Sequence, residues 1–247
     1  MKSNKYDKDF YVNREVETSA SAEAILDEVF DMCRPDSVVD FGCGVGTWLK
    51  VCNKKGAKKL LGFEGQWIED LPKGIVSRCV AVKDLSKKIV LDHEFDLAIT
   101  LEVAEHIKEL DAEIFVDNLA NASNIVLFSA AIPGQGGVGH LNEQWPRYWV
   151  EKFEQRGFRL FDVLRPSLWE NQMVKVWYKQ NTLLFVRGAP SLVEMELLES
   201  KESFAGRSLV HPDLLKVRIS QLKSEITVGA FIKSIKRGVQ RFIKIRS

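Results

Sequence analysis

The sequence predicts an α/β fold: a doubly wound, mostly parallel seven-stranded sheet, closed by an antiparallel terminal hairpin and followed by a helical C-terminal tail. Three observations carry this. Short apolar, β-rich runs alternate with helical patterns between residues 37 and 131, the rhythm of parallel βαβ units. The first run, "SVVDF", breaks directly into a glycine-rich loop. Two late strand-like runs, 158–164 and 174–187, follow one another with only "RPSLWENQM" between them, and strands joined without a crossover helix pair antiparallel.

The elements follow in order. Residues 20–34 place Ile25, Leu26, Val29 and Phe30 at helical spacing, with Ser19 or Ser21 as N-cap and Pro35-Asp36 as the stop. "SVVDF" (37–41), "KLLGFE" (59–64), "IVSRCVAV" (75–82), "FDLAITL" (95–101) and "NIVLFSAA" (124–131) read as five buried strands. Helical patterns at 46–55 and 111–121 lie between them, and a further helix is expected from Glu143–Pro146 through "RYWVEKFEQRG". The two late runs supply the sixth and seventh strands. Residues 1–190 then make one domain and 191–247 a helical extension.

Composition excludes several classes. Hydrophobic residues make up 45% and charged residues 28%, an ordinary soluble balance. The charged N-terminus has no apolar core of a secretory signal. No apolar run is long enough to span a membrane. Cys33, Cys43, Cys52 and Cys79 form no CxxC pair and no zinc-like cluster, so reduced thiols in a cytoplasmic protein are expected.

Net charge is +1, yet residues 206–247 carry ten Lys/Arg against two Asp/Glu, which leaves residues 1–205 at −7. An acidic body with a basic tail argues against nucleic acid and for a tail with its own partner. Within 226–245, Val228, Phe231, Ile232, Ile235, Val239, Phe242 and Ile243 share about 120° of a helical wheel, with Lys233, Arg237, Arg241 and Lys244 opposite. Such a helix packs on the domain or on a second subunit, giving a homodimer, or lies on the inner face of an anionic membrane.

"VVDFGCGVGTW" (38–48) is the most informative stretch. A buried strand ends with Asp40 and enters Gly42, Gly44 and Gly46, whose freedom of φ lets a ligand approach the backbone at the strand's carboxyl end. A dinucleotide site prefers G-x-G-x-x-G, and here the third glycine comes one residue early. Asp-Phe-Gly-Cys-Gly-Val-Gly resembles the first motif of class I S-adenosylmethionine (SAM) dependent methyltransferases, and the order of elements over residues 20–187 is similar to their Rossmann-like fold. The resemblance implies that SAM is the cofactor, with Gly42, Gly44 and Gly46 beside it and Asp40 near its amino group. Glu64, 18 residues after Gly46, would hold the ribose hydroxyls. Asp84 would contact the adenine amino group, with Trp67 or Leu85 flanking the ring. "FDLAITLEVAEHI" is similar to the family's fourth motif, which places backbone at Thr100, Leu101 and Glu102 beside the methionine.

The acceptor side is expected at the same sheet edge. Glu102, Glu105 and His106 lie at this carboxyl end, and Glu102 and His106, four residues apart, share one face if a helix starts there. That spacing suits a metal pair, but no third ligand is evident and no metal is expected. They hold the loop or take part in catalysis. "PGQGGVGH" (133–140) does not run into a helix N-terminus, so it forms an acceptor wall rather than a phosphate cradle. His140 is the expected base, since imidazole as a side-chain type changes charge near neutral pH. Glu143 orients it, Asn142 binds a neighbouring hydroxyl, and Trp145 or Trp149 stacks on a sugar face. "IPGQGGVGHLNEQWPRYW" resembles a subset of these methyltransferases from carbohydrate and secondary-metabolite clusters. The expectation is an O-methyltransferase acting on a sugar, nucleotide sugar or glycoconjugate. A non-catalytic SAM-binding module and a nicotinamide oxidoreductase are the alternatives.

Overall fold

A computed structural model describes residues 8–70, 79–188 and 204–224. The chain forms two compact units, residues 1–209 and 210–247. In the second, residues 212–224 are helical. The amphipathic stretch 226–245 lies outside the described residues, as does 75–78 of the expected third strand. Among the described residues no helix is long and apolar enough to cross a membrane.

The first unit is a seven-stranded sheet. β1 (Ser37–Phe41), β2 (Lys59–Glu64), β3 (Val80–Val82), β4 (Leu97–Leu101) and β5 (Ile125–Ser129) are parallel. β7 (Leu183–Arg187) enters antiparallel between β5 and β6 (Phe158–Phe161). The resulting order is β3-β2-β1-β4-β5-β7-β6. Period-2 alternation builds a core on each face. Val38, Leu97, Ile99, Leu127 and Leu184 join one cluster, with α1 (Lys8–Cys33) and α2 (Thr47–Lys54) above it. Val39, Ala98, Val126, Phe128 and Phe185 join the other, beneath α3 (Ala112–Ala122) and α4 (Pro146–Glu154). Phe153 of α4 stacks on Phe185 at 4.1 Å between ring centroids. Each large apolar side chain so buried contributes roughly 1.5–3 kcal/mol.

The chain departs from expectation in three places. α1 runs straight through Ser19 and Ser21, so neither caps it, and the buried Ser21 hydroxyl accepts the Lys175 amide at 3.0 Å instead. The sixth strand stops at Phe161 because Asp162 and Arg165 form a fully buried ion pair at helical spacing, and α5 (Leu164–Leu168) begins there. Residues 176–181 are helical (α6, Val176–Asn181), although "VKVWY" alternates like a strand. The Thr182 amide bonds back to Tyr178 O at 3.0 Å, closing the helix before β7 begins. The helix sets Tyr178 edge-on against Trp48, 5.3 Å between centroids. The antiparallel pair β6–β7 therefore has two short helices in its connection.

The strand order reverses between β1 and β4. Chains leaving the carboxyl ends of these neighbours diverge to opposite faces, which opens a crevice where doubly wound sheets bind ligands. The loop 42–46 leaves β1 there, and the turn 102–106 leaves β4.

Candidate active site

Gly42 sits at φ +83° and donates its amide to Phe63 O at 2.8 Å. A Cβ at this position would lie 2.5 and 2.7 Å from the two methyls of Val103. The loop after β1 is thus pressed against the turn after β4, and only glycine allows that approach. Gly44, at φ +54°, has nothing within 4 Å of its Cβ position, so its outer side faces open space. Gly46, at φ +83°, starts α2. Replacing Gly42 with alanine is expected to lower stability by about 2–4 kcal/mol, combining a left-handed alanine with an overpacked contact. Gly44→Ala should cost only the first, about 1–2 kcal/mol. Urea unfolding of both variants checks this, and equal losses would refute the close-packing argument.

Glu64 ends β2 and ties this loop together. Its Oε2 accepts the Gly44 amide at 2.7 Å, and its Oε1 accepts the Gly65 amide at 2.7 Å and Trp67 Nε1 at 3.0 Å. Beneath it Asp40 is 2% exposed, and its Oδ2 has no hydrogen-bond partner. Burial, then the neighbouring Glu64 charge, pushes the Asp40 carboxyl well above the usual range. Past β3, Asp84 is exposed and spends its Oδ1 on Ser86, whose amide and hydroxyl hold it below the ordinary range. Leu85 is buried in the α3-side core.

At the end of β4, Glu102 adopts φ +57°, which costs a non-glycine residue about 1–2 kcal/mol. Ser129 holds it there through backbone and hydroxyl oxygens, at 3.1 and 3.0 Å from the Glu102 amide. The side chain turns to Asn181 Nδ2 at 3.0 Å and Gln135 Nε2 at 2.9 Å, and Asn181 also donates to Gln135 Oε1 at 2.9 Å. Burial raises the Glu102 carboxyl, against these bonds. Residues 104–106 form a single 3-10 turn, so the expected face shared by Glu102 and His106 does not exist. Glu102 braces the glycine loop instead.

The second glycine loop folds onto Glu143. Its carboxylate accepts the Gly134 and Gly136 amides at 2.8 and 3.0 Å and meets His140 Nδ1 at 2.8 Å. Partial burial alone would raise this carboxyl, but the bonds from His140, Gly134 and Gly136 outweigh it and hold it below the usual range. The opposite nitrogen, His140 Nε2, lies 3.9 Å from Glu105 Oε1. Glu105 is 1% exposed, and its Oε2 has no partner. Its backbone oxygen accepts the Leu141 and Asn142 amides at 2.7 and 3.0 Å, which clamps the turn after β4 to the loop after β5. His106 Nδ1 faces Gly139 O at 3.1 Å, and its ring meets that of His140 edge-on at 5.0 Å.

Asn142 is buried with Nδ2 unpartnered, while its Oδ1 accepts Gln144 Nε2 at 2.9 Å. Trp145 is 38% exposed at the start of α4. Trp149 is 1% exposed and packs on Phe128 and Tyr148, so it belongs to the core and cannot stack on a ligand.

The structure therefore gathers Glu102, Glu105, His106, His140 and Glu143 in one cluster and adds two residues that sequence patterns did not single out. These are Gln135 and Asn181, which lie 46 positions apart in the chain. Ligand atoms of Glu105, His106 and His140 all lie within 4.8 Å of one another, which supplies the third member that spacing alone did not reveal.

Residues 14–171 match the model of a family described as "Methyltransferase domain". Among solved structures, DesVI from Streptomyces venezuelae is 15% identical, with a TM-score of 0.53 over 72% of this chain and 95% of that one. An S-adenosylmethionine-dependent methyltransferase from Clostridium acetobutylicum is 12% identical, with a TM-score of 0.53 over 68% and 92%. At these identities the likeness is one of fold. No curated protein matches the sequence at a significant level.

Proposed function

This chain belongs to the methyltransferase-domain family, and on that premise we propose that it methylates a hydroxyl group of a sugar, nucleotide sugar or glycoconjugate. S-adenosylmethionine is the cofactor. The residues present fit it. Asp40 is a buried carboxylate lacking a partner for one oxygen, suited to an ammonium group. Gly44 presents backbone to open space. Glu64 closes the loop with a carboxylate at the distance down the sequence where ribose hydroxyls are held. When bound, S-adenosylmethionine supplies an electrophilic methyl group on a sulfonium.

The observation that carries the hydroxyl reading is His140. A carboxylate oxygen only accepts, so Nδ1 carries the hydrogen facing Glu143 and the neutral ring keeps its lone pair on Nε2. That nitrogen takes the acceptor's proton as the new C–O bond forms. Glu143, pinned by two glycine amides, fixes the ring's orientation. Asn142 Nδ2 offers a donor to a second hydroxyl, and Trp145 a face for a sugar ring. We assign these roles to residues 1–190 and treat residues 191–247 as an extension.

The test is a mass-spectrometric screen for methyl gain across nucleotide sugars, free sugars and amines, with SAM binding measured by calorimetry on the same sample. Methyl gain on a hydroxyl is expected. Gain only on amines would overturn the O-methyl assignment. SAM binding with no gain on any acceptor would favour the non-catalytic module.

A further inference from the structure

We infer that Glu105, His106 and His140 form a binding site for one divalent first-row transition cation. The methyl-transfer reading does not require this site, and its existence does not depend on that reading.

Three independent features converge. The first is distance: the three ligand atoms lie within 4.8 Å of one another. Ligands held about 2.1 Å from a common ion sit roughly 3.0–3.4 Å apart, so side-chain movements of about an ångström close the site. The second is the state of the imidazoles. A carbonyl and a carboxylate can only accept, so Gly139 O and Glu143 place the ring hydrogens of His106 and His140 on Nδ1. Nε2 is then the nitrogen that each ring turns away from that bond. This is how metal-binding histidines are held, with the far nitrogen bonded to a carboxylate or backbone carbonyl.

The third feature is Glu105. Its carboxylate is almost wholly buried, one oxygen is unpartnered, and the other faces His140 Nε2 at 3.9 Å. That separation is too long for a hydrogen bond. It leaves the two atoms facing each other across a gap that one ion can span. The scaffold is already rigid, because the Glu105 backbone oxygen holds the amides of Leu141 and Asn142 beside His140. Two imidazole nitrogens and one carboxylate oxygen suit zinc, cobalt or iron rather than magnesium or calcium. Three protein ligands leave positions open for oxygens of a second molecule.

His140 belongs to the acceptor loop, so an ion held here would border the acceptor, and at this point the inference rests on the hydroxyl-acceptor reading. An acceptor oxygen bound to the ion releases its proton to water, because coordination lowers the hydroxyl pKa. The resulting alkoxide oxygen bonds to the methyl carbon, the carbon–sulfur bond breaks, and sulfur keeps the electron pair. With the ion bound, His140 Nε2 is a ligand, and coordination replaces proton abstraction by that ring.

The test uses the full chain stripped with a chelator and titrated with Co²⁺. A visible absorption band saturating at one equivalent is expected, displaced by Zn²⁺ and not by Mg²⁺. His106→Ala and His140→Ala should each weaken cobalt binding by about tenfold or more. SAM affinity, measured on the same samples, should be unchanged, which shows that both variants are folded. A SAM-binding chain that takes up no cobalt overturns the proposal, as does uptake that both variants leave unaltered. Cobalt uptake with no methyl transfer to any hydroxyl removes the O-methylation reading and leaves the site standing. Full-rate transfer by stripped enzyme that takes up no cobalt does the reverse.

Discussion

His140→Ala is expected to lower turnover by about 10²–10⁴-fold, the contribution of one positioned proton acceptor, while SAM affinity stays within error of the native value. The reason for the split is location. His140 belongs to the loop after β5, where its Nδ1 bonds Glu143 and its Nε2 faces Glu105 at 3.9 Å. The residues assigned to the cofactor sit on the loops after β1 and β2. Removing the ring leaves Glu143 bonded to the Gly134 and Gly136 amides, so the loop keeps its fold. The loss should therefore appear in kcat, not in the KM for SAM, marking an interaction made in the transition state. Glu143→Gln should cost less, because an amide at that position can still meet Nδ1 but no longer as a charged acceptor. Unchanged turnover in His140→Ala would remove both the proton-acceptor and the metal-ligand assignments, since each needs Nε2.

The parts legible in the sequence were those governed by local rules. β1 and β2 have the boundaries their patterns predict, each a short β-rich run that ends at a glycine turn, Gly42 after β1 and Gly65 after β2. The crevice was legible too, since the three glycines mark where the chain must approach its neighbour. Competition between local preference and tertiary partners was not legible. Val176–Asn181 has strand-like alternation, yet it folds as a helix that delivers Asn181 to Glu102.

Glu102 shows the same limit. Its spacing to His106 suggested a shared helical face, yet a left-handed backbone at Glu102 and a 3-10 turn send the two side chains to different partners. Glu105 is legible as a residue of the ligand-binding sheet edge, but the burial of its carboxylate cannot be read from its neighbours in sequence. Only the amides of Leu141 and Asn142, arriving from the next loop, place it beside His140.

Glu64→Ala is expected to raise the Kd for SAM by about 10²-fold or more, with kcat at saturating SAM changed far less. A hydrogen bond to a charged acceptor contributes about 1.5–3 kcal/mol, and 1.4 kcal/mol is tenfold in affinity. Two ribose hydroxyls would exceed that figure, but Glu64 is already occupied. A carboxylate has about four acceptor sites, and Gly44, Gly65 and Trp67 fill three of them. Binding both hydroxyls requires at least one of these donors to yield, which offsets part of the gain. The Gly44 amide is the natural one, since that residue borders open space. Glu64→Gln keeps the shape and one acceptor oxygen, so it should fall between native and alanine. Loss of the Glu64 charge also relieves Asp40, whose carboxyl that charge helps to raise, so ammonium recognition should survive. The two alanine variants then form opposite pairs: Glu64→Ala moves the KM for SAM, and His140→Ala moves kcat. Equal SAM affinity in native and Glu64→Ala protein, measured by calorimetry, would place the ribose elsewhere and leave Glu64 as the latch of the Gly44 loop alone.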